Sequence, residues 1–573
     1  MITGKTKIVL EGRGAVTISP NDHIGTGGEG SAFRLKDWVI KLYADPDKMS
    51  RDGMADKIQL LKAIRHDYIV APHGLVLDSA AKPIGYYMDY VDGEPLSRVF
   101  TNDFRSRTGF ADAAASTLVA RMRETMQIAH QNQALMVDAN ELNWITVLGQ
   151  EPEPRALDVD SWAIGQWPAT VIMPSIRDWH RNGFSRETDW FAWGIVTFQI
   201  YVGIHPYKGM LDGYKPSDLE ARMMANASVF TPGVRLNRAV RDFALIPAGL
   251  LDWYRATFQN GERTPPPSPY AQPPAAPAAL RVARVVTSGG GMLAFDKLFG
   301  DAADPALRIF PCGIVLLASG KLVNLATKRV IGAAKSYECE IIQAGVGWLK
   351  ADFDHGKIQF AYIDASLQET LLDLDIAAVR PMRYENRMFL VTNQGLAEVD
   401  VKIFQRPLLA MGATWGVMVN ATRWFDGVGV QDAFGATFLI APFGEKACGQ
   451  VRVKELDGLK VVAAKAGHRF IALVGVNANG EYRKLELYFS EDYKQYSIWH
   501  GGAANADLNI AILPKRVCAT IVDDGELVIF VPSNGTVVKR QDQTLSTAMS
   551  LGNWGDRVVY IDQGSVWSVQ SKA

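Results

Sequence analysis

The chain has 573 residues, which favours two or more domains, and its apolar and charged fractions are those of an ordinary globular protein. A formal net charge of −1, and the lack of any run near the roughly 18 apolar residues that cross a bilayer, predict neither nucleic acid nor membrane as a partner. The N-terminus has no charged-then-apolar leader pattern and the four cysteines have no C-x-x-C spacing, which predicts a cytoplasmic location, free thiols and no zinc site.

The first elements are short strands with a glycine-rich turn among them. Between Ile24 and the predicted strand at Phe33–Leu35 lies the turn Gly25-Thr26-Gly27-Gly28-Glu29-Gly30. A strand after the glycines disfavours a dinucleotide-binding turn, which needs a helix there. Glycines let a hairpin tip approach phosphates because no Cβ is in the way; an ordinary surface hairpin is the alternative. β-Branched and aromatic residues between turn signals predict four strands, which are Ile8–Leu10, Phe33–Leu35, Val39–Tyr43 and Ile84–Tyr90.

Lys41 is a charged residue within the apolar strand Val39–Tyr43. Alternation places its side chain on the same face as Val39 and Tyr43. Considered alone, such a lysine indicates an exposed strand position. Next to the glycine turn, pairing with phosphate becomes the better interpretation.

The next part of the chain changes from strands to helices. Apolar residues at three- and four-residue spacing predict helices at Leu118–Gln131 and Asp189–Val202. Strands followed by helices indicate an α+β domain with two lobes and a cleft between them. Asp138, Asn143 and Asp160 lie between the predicted helices, and such side chains transfer protons and bind Mg²⁺. Solvated turn residues are the alternative for the acidic pair that includes Asp160.

In this order, the motifs resemble those of the protein kinase family, over about residues 20–263. The segment from Tyr87 to Gly93 looks like the kinase hinge. The resemblance implies that Met88 is the gatekeeper and that backbone groups of Asp89 and Val91 contact adenine. It also implies that Lys41 and the glycines bind phosphates, the glycines being Gly25, Gly27, Gly28 and Gly30.

The segment from Val137 to Asn143 resembles the kinase catalytic loop. The resemblance implies that Asp138 takes the proton of the acceptor hydroxyl and that Asn143 binds a metal ion. Leu157–Trp162 resembles the metal-binding Asp-Phe-Gly turn, with Asp160 as the metal ligand and Asp158 as the alternative after a slip in register. Asp189 would brace the backbone of the catalytic loop. The implied cofactors are ATP and Mg²⁺.

Two departures concern residues that support the kinase site. The segment Asp45–Arg65 contains no glutamate that could pair with Lys41, which leaves Asp56 as the nearest substitute. Pro174-Ser175-Ile176 stands where the family has Ala-Pro-Glu, which predicts the loss of a bracing ion pair.

Two further departures lie in the catalytic loop. Met136-Val137 replaces His-Arg before Asp138, and Asn140 replaces a lysine. The residues together predict an ATP-dependent phosphotransferase, a Ser/Thr protein kinase. The departures favour the alternative of a pseudokinase scaffold that binds nucleotide or nothing and acts through protein–protein contacts. A small-molecule kinase is a third interpretation.

A proline-rich segment divides the chain. Seven prolines fall between residues 265 and 277, and they favour an extended spacer of about 40 Å. The alternative is a loop that lies on the surface of one domain. The predicted boundaries are a kinase-like domain at 1–263, with a small lobe at about 1–92 and a large lobe at about 93–263, a linker at 264–280, and a second domain at 281–573.

Seven glycine-containing turns recur after the linker at intervals of 36 to 45 residues. A period near 40 with about four strands per unit predicts an all-β domain, a β-propeller of seven blades. Six or eight blades, or a pair of β-sandwiches, are the alternatives. We expect this domain to recruit a protein substrate or a partner complex. The turns are Ser319-Gly320, His355-Gly356, Gln394-Gly395, Phe434-Gly435, Asn479-Gly480, Asp524-Gly525 and Gln563-Gly564.

Overall fold

The computed structural model describes residues 4–571, except 170, 271–292, 355–356, 375, 405, 445–446, 504, 515–516, 524–525, 532–535 and 543. Within these residues the protein is mostly β-structure, and every helix longer than one turn lies before residue 260. None of the described helices combines the length and the apolar character that a membrane span requires.

The chain begins with a seven-stranded sheet in the order β2-β1-β6-β7-β5-β4-β3. All four predicted strands of this region are confirmed, because their β-branched and aromatic side chains fill the core between the sheet and its neighbours. The strands are β1 (Thr6–Leu10), β2 (Gly14–Ile18), β3 (His23–Thr26), β4 (Gly30–Leu35), β5 (Trp38–Tyr43), β6 (Gly74–Leu77) and β7 (Pro83–Asp89).

A mainly helical part follows the sheet, and the two predicted helices are confirmed within α5 and α6. Ser185 caps the N-terminus of α6, and Gly203, at a φ of 80°, ends it. Helix α6 is buried on all sides from Thr188 to Val202 and is the centre of this part. The elements are α1 (Lys48–Arg51), α2 (Met54–Leu61), β8 (Glu94–Pro95), α3 (Leu96–Val99), α4 (Asn102–Thr108), α5 (Asp112–Gln131), β9 (Ala134–Leu135), β10 (Trp144–Val147), β11 (Glu153–Ala156), β12 (Ala163–Ile164), α6 (Arg186–Val202), α7 (Leu219–Met224) and α8 (Ala248–Phe258).

The described residues of the C-terminal half form seven four-stranded antiparallel sheets. Its strands are β13 (Leu293–Gly300), β14 (Ala306–Phe310), β15 (Ile314–Leu317), β16 (Lys321–Asn324), β17 (Val330–Ala333), β18 (Glu340–Ala344), β19 (Gly347–Asp354), β20 (Lys357–Ile363), β21 (Glu369–Leu372), β22 (Ala378–Tyr384), β23 (Arg387–Thr392), β24 (Gly395–Ile403), β25 (Pro407–Gly416), β26 (Thr422–Trp424), β27 (Gly429–Ala433), β28 (Ala436–Phe443), β29 (Ala447–Arg452), β30 (Lys460–Gly467), β31 (Phe470–Val476), β32 (Tyr482–Phe489), β33 (Tyr496–Gly502), β34 (Ile510–Leu513), β35 (Val517–Asp523), β36 (Glu526–Val531), β37 (Thr536–Gln541), β38 (Ser550–Trp554), β39 (Arg557–Asp562) and β40 (Ser565–Ser571).

Six of these sheets use four consecutive strands, and the seventh joins the two ends of the half. In that sheet β13 pairs with β40, from Leu293 opposite Ser571 to Gly300 opposite Ser565. Five predicted glycine turns each connect the second and third strands of a sheet, which confirms the repeat. The other two, His355-Gly356 and Asp524-Gly525, lie outside the described residues.

The first part of the predicted linker lies against the N-terminal half. The carbonyl of Thr264 accepts a hydrogen bond from Trp253 Nε1 at 2.9 Å, and that of Pro266 accepts one from Arg123 Nε at 2.8 Å. Residues 264–270 are therefore not a free spacer, and for them the surface-loop interpretation is the right one. Residues 271–280 lie outside the described residues.

Candidate functional site

The glycine turn is the tip of the hairpin formed by β3 and β4. Gly27 N donates to Gly30 O at 2.8 Å and closes the turn. A Cβ built on Gly25, Gly27 or Gly28 would meet nothing within 4 Å, so there is open space beside the tip. A Cβ on Gly30 would lie 2.1 Å from Leu42 O, so only glycine fits there. Gly30 therefore allows β4 to pack closely against β5, and the other three glycines leave room for a ligand.

Lys41 extends from β5 and contacts both aspartates that are candidate metal ligands. Its Nζ lies 2.7 Å from Asp158 Oδ1 and 2.8 Å from Asp160 Oδ2. Burial alone would lower the pKa of Lys41, but the two carboxylates outweigh it and raise the pKa. Lys41 is therefore a fixed positive charge at this position.

The two aspartates differ in what their oxygens do. Asp160 has no exposed side-chain surface, and it accepts hydrogen bonds from Lys41 and from the hydroxyls of Tyr43 and Tyr86. Burial would raise the pKa of the Asp160 carboxyl, but Lys41 and the tyrosines lower it to about 2. Asp158 is 37% exposed and is hydrogen-bonded to Lys41 through one oxygen. Of the two, Asp158 has the oxygen that a metal ion can reach.

The helix beside this cluster carries a buried lysine where we expected a carboxylate. Asp56, the nearest substitute for the missing glutamate, is exposed, and the carboxylates near Lys41 are instead Glu29, Asp158 and Asp160. Lys57 is fully buried and donates from Nζ to Asp160 O at 2.6 Å. On the opposite side, Glu29 of the glycine turn lies 2.9 Å from Lys48 and 3.9 Å from Lys41. Three lysines and three carboxylates thus share one cluster.

Lys57 is expected to make stability depend on pH. Burial, only partly offset by Asp160 and Glu29, lowers its pKa to about 8, whereas an unfolded lysine titrates near 10.4. Between these values the unfolded chain holds a proton that the folded chain has released, so residue 57 makes the free energy of unfolding rise with pH, by up to about 1.4 kcal/mol per pH unit. Urea unfolding of the wild type and Lys57→Met from pH 7 to 10 measures this difference in slope.

The matched control for this experiment is Lys62→Met. Lys62 is half-buried at the C-terminal end of the same helix and should leave the slope as in the wild type. If the wild type and Lys57→Met had identical slopes, the pH dependence of stability could not be assigned to Lys57.

Asp138 and Asn143 lie in one loop between β9 and β10. Asn143 Nδ2 donates to Asp138 O at 2.8 Å, and Asp138 Oδ1 accepts from Met173 N at 2.8 Å. Burial raises the pKa of the Asp138 carboxyl. The backbone bond from Leu157 N to Asn143 O, at 2.9 Å, extends the β10–β11 pairing. It brings Asn143 next to the segment that carries Asp158.

Asp189 braces the backbone of the same loop, as expected. Its two oxygens accept hydrogen bonds from the backbone amides of Met136 and Val137, each at 2.9 Å, and His130 Nε2 lies 2.9 Å from Oδ2. Val137 has a φ of 56°, a conformation that is costly for a β-branched residue and persists only when its surroundings fix it. The Asp189 carboxylate supplies that fixation.

The predicted hinge residues lie at and after the end of β7. Met88 is half-buried and packs against the main core, and Val91 is half-buried in the segment that leads to β8. Asp89 is exposed, and its carboxylate lies 2.7 Å from His73 Nε2. Their contact with adenine through the backbone remains a prediction.

The segment after Pro174 lacks the glutamate of the family's ion pair, as expected, but an aspartate further along forms an ion pair in its place. Asp178 and Arg263 form a two-point ion pair, with Nε to Oδ2 at 2.6 Å and a second bond to Oδ1 at 2.9 Å. Both side chains are almost completely buried. The pair ties this segment to the last residues before the linker.

The C-terminal half contacts the glycine hairpin directly. Asp432 Oδ2 accepts a hydrogen bond from Thr26 N at 3.3 Å, and the Phe434 ring lies 4.4 Å from that of His23. Both C-terminal residues come from the β27–β28 hairpin. A backbone amide next to the glycine tip is therefore bonded to a carboxylate of the other half.

A second sheet of the C-terminal half contacts the loop of Asp138. Tyr482 donates to Glu141 at 2.9 Å in a buried contact, and Lys460 Nζ donates to Leu142 O at 3.2 Å. A Cβ on Gly480 would lie 2.1 Å from Ser175 Oγ, so this turn fits closely only as glycine. The two halves therefore meet on both sides of the cleft.

Several of these residues were missed from the sequence, although two of them, Tyr43 and Lys57, had a signal. Strand alternation places Tyr43 on the face of Lys41, where it reaches Asp160. Tyr86 is opposite Lys41 in the β5–β7 register, which requires the sheet order. Lys57 lies at three-residue spacing from Met54, on the side of α2 that carries Ile58 and Leu61, so helical periodicity indicated that it turns inward.

Within the described residues, no group of three or more His, Cys, Asp or Glu side chains is arranged to hold a metal ion. No model of a known protein family matches the chain, and no curated protein matches it.

Proposed function

We propose that the N-terminal half is an ATP-dependent phosphotransferase of the protein kinase type, with Ser or Thr hydroxyls of a protein as acceptors. The observation that carries this proposal is the cluster of Lys41 and Asp158 beside Asn143, next to the open glycine tip. These are the parts that phosphoryl transfer needs, namely a phosphate-binding turn, a fixed cation and oxygen ligands.

The residues present fit ATP and Mg²⁺. Mg²⁺ takes one or two oxygens from a protein, and the part-exposed Asp158 carboxylate and the Asn143 amide supply that number. ATP with Mg²⁺ would supply the phosphoryl group that is transferred.

The chain's own residues would then have separate roles. Lys41, held protonated, would pair with phosphate oxygens. Asp138 would accept the proton of the incoming hydroxyl, and its raised pKa brings it closer to the working pH of a general base. Asp189 would keep the loop of Asp138 in place.

For the C-terminal half, the proposal is a seven-bladed β-propeller that recruits a protein substrate or a partner complex. The pairing of β13 with β40 supports ring closure, since it joins the first and last strands in one sheet. Packing of β14 against β38 and of β34 against β38 supports it as well. The contacts of Asp432 and Tyr482 with the two sides of the cleft support recruitment close to the acceptor site.

A pseudokinase scaffold is the second candidate, and one observation favours it. Lys57 is buried beside Lys41 where a carboxylate was expected, while Glu29 already approaches Lys41 and Lys48. A nucleotide would have to displace Glu29 from these lysines. A scaffold would keep this closed arrangement.

The deciding experiment compares the wild type with Asp138→Asn in Mg²⁺ and γ-labelled ATP, with a generic acceptor protein. We expect label on the wild type and a rate lower by about 10²–10⁴-fold in Asp138→Asn, because the general base is lost. The thermal shift produced by ATP should persist, since Asp138 is not assigned to the nucleotide.

The control is Asp56→Asn, an exposed carboxylate on α2, which should transfer phosphate at the wild-type rate. If the wild type transferred no label, the proposal that the protein is a phosphotransferase would be contradicted. If it also showed no thermal shift with ATP and Mg²⁺, the scaffold would be favoured.

A further inference from the structure

A cavity of about 500 Å³ lies where the N-terminal half meets the C-terminal sheets. Residues from Arg98 to Arg107 form one wall, and strands β14, β22 and β30 contribute to the others. Lys41 and Asp138 do not line it. The volume is that of a site for a small ligand, but this cavity carries many charged side chains.

Three charged residues on consecutive sheets form an arc along the cavity wall. Arg380 on β22 donates to Phe425 O at 3.2 Å, next to Asp426. Asp426 is joined through its backbone to the strand of Lys465, with Asp426 N to Ala464 O at 3.3 Å. The order along the arc is therefore cation, carboxylate, cation.

Other cations at the cavity already have carboxylate partners. Arg308 lies 2.6 Å from Glu340, and Arg107 lies 3.4 Å from Asp103. Arg383 is 3.4 Å from Glu340. Glu340 is thus shared by Arg308 and Arg383, and Asp103 serves Arg107.

Arg380 and Lys465 lack such partners. In the described part of the chain, neither has a carboxylate oxygen within 4.0 Å, and their recorded hydrogen bonds go to the backbone oxygens of Phe425 and Ile510. Arg380 Nε is buried and, among the described residues, has no hydrogen-bond partner. Burial outweighs the surrounding carboxylates and lowers the pKa of both groups, so their positive charge is incompletely compensated.

The Asp426 carboxylate can accept hydrogen bonds from a ligand in the cavity. Desolvation by the surrounding cavity walls would raise the pKa of the Asp426 carboxyl, but Arg107, Arg308 and Lys465 lower it to about 2, so the carboxylate is ionised. Its side chain is accessible to solvent-sized molecules and borders the cavity. An ionised carboxylate only accepts hydrogen bonds, so a ligand that meets Asp426 must bring donors.

We propose that this cavity binds a small molecule that carries a phosphate group, with Arg380 and Lys465 as its cationic partners and Asp426 as the acceptor for a hydroxyl of the same molecule. A phosphate monoester carries about −1.5 to −2 charge at pH 7, so it can pair with both Arg380 and Lys465, neither of which forms an ion pair among the described residues. Guanidinium groups bind phosphate through two parallel hydrogen bonds, and lysine binds it as a point charge.

The test titrates inorganic phosphate into the full-length protein by calorimetry, at constant ionic strength with chloride as the reference. We expect one saturable site, and a loss of affinity of about tenfold or more in Arg380→Gln and in Lys465→Gln, because each variant removes a charged hydrogen bond. Lys465→Arg should retain binding. Asp426→Asn should bind inorganic phosphate more tightly, because a negative charge is removed; a purely structural role for Asp426 predicts the opposite.

A second titration uses glycerol phosphate, which adds hydroxyl groups. It should bind more tightly than inorganic phosphate to the wild type, and Asp426→Asn should lose this advantage. Lys41→Met separates this site from the nucleotide cleft, because it should leave phosphate affinity unchanged.

Two results would overturn the proposal. One is the absence of phosphate binding at millimolar concentration in a wild type that is folded. The other is binding that disappears in Lys41→Met and persists in Arg380→Gln and Lys465→Gln, which would assign the phosphate to the cleft. Neither result depends on whether the protein transfers phosphate from ATP.

Discussion

Asp160→Ala is expected to lower the stability of the N-terminal half by about 3–5 kcal/mol, whereas Asp158→Ala should change it by less than about 1 kcal/mol. Removing the Asp160 carboxylate leaves the hydroxyls of Tyr43 and Tyr86 without their acceptor and takes one of two close partners from Lys41. Asp158 is part-exposed, and without it Lys41 still has Asp160.

For metal-dependent nucleotide binding, Asp158→Ala is expected to have the larger effect and Asp160→Ala the smaller one. This prediction rests on the proposed function. Asp158→Ala should abolish the increase in ATP affinity that Mg²⁺ produces, because the accessible carboxylate oxygen is gone. Asp158→Asn should retain part of it, since an amide oxygen remains. The sequence had favoured Asp160 as the ligand, and the complete burial of that side chain is the reason to prefer Asp158.

Hydrogen exchange of amides in β5 and β7 measures the stability of this region, and calorimetry with ATP, with and without Mg²⁺, measures the metal effect. Asp56→Ala, on the exposed face of α2, is the matched control and should match the wild type in both. A stable Asp160→Ala variant that loses only the Mg²⁺ effect would restore the original assignment.

The repeated architecture was predictable because its signal is local. A turn between two strands needs a residue that tolerates a positive φ, and Gly320, Gly480 and Gly564 have φ values of 86°, 77° and 72°. These turns recur once per sheet, so their spacing gave the number of sheets. The pairing of β13 with β40 has no such signal, since the two strands are far apart in the chain.

The candidate site was predictable only in part, for a related reason. Lys41, Asp138 and Asn143 lie in short motifs whose order could be read directly. The residue that faces Lys41 from α2 is decided by the rotation of that helix, and packing turned Lys57 inward instead of Asp56. A buried lysine goes against the usual burial preference, so composition argued for the wrong residue.

Contacts between segments that share no motif were not predictable from the sequence. Glu141 and Tyr482 are neighbours in space, but no period or motif links them. The same holds for the linker, whose proline content indicated an extended backbone but not its contact with Arg123. Local patterns predict elements; the surface on which an element lies depends on the complete fold.

Asp178→Ala is expected to destabilise the N-terminal half by about 3–5 kcal/mol, or about 10 °C in Tm. The substitution leaves the Arg263 guanidinium buried against the Phe191 ring, 4.4 Å from its centroid, with no carboxylate beside it. The cost arises from the unpaired buried charge. The double variant Asp178→Ala/Arg263→Met removes that charge as well and should recover much of the lost stability.

A double-mutant cycle over these variants measures the coupling between the two side chains. Strong coupling is expected, because two short hydrogen bonds join side chains that water does not reach. The exposed pair Asp212–Arg235 is the matched control, and Asp212→Ala should leave Tm unchanged, since solvent screens that pair. Additive effects of Asp178→Ala and Arg263→Met would show that the segment after Pro174 is held by its apolar contacts and not by the ion pair.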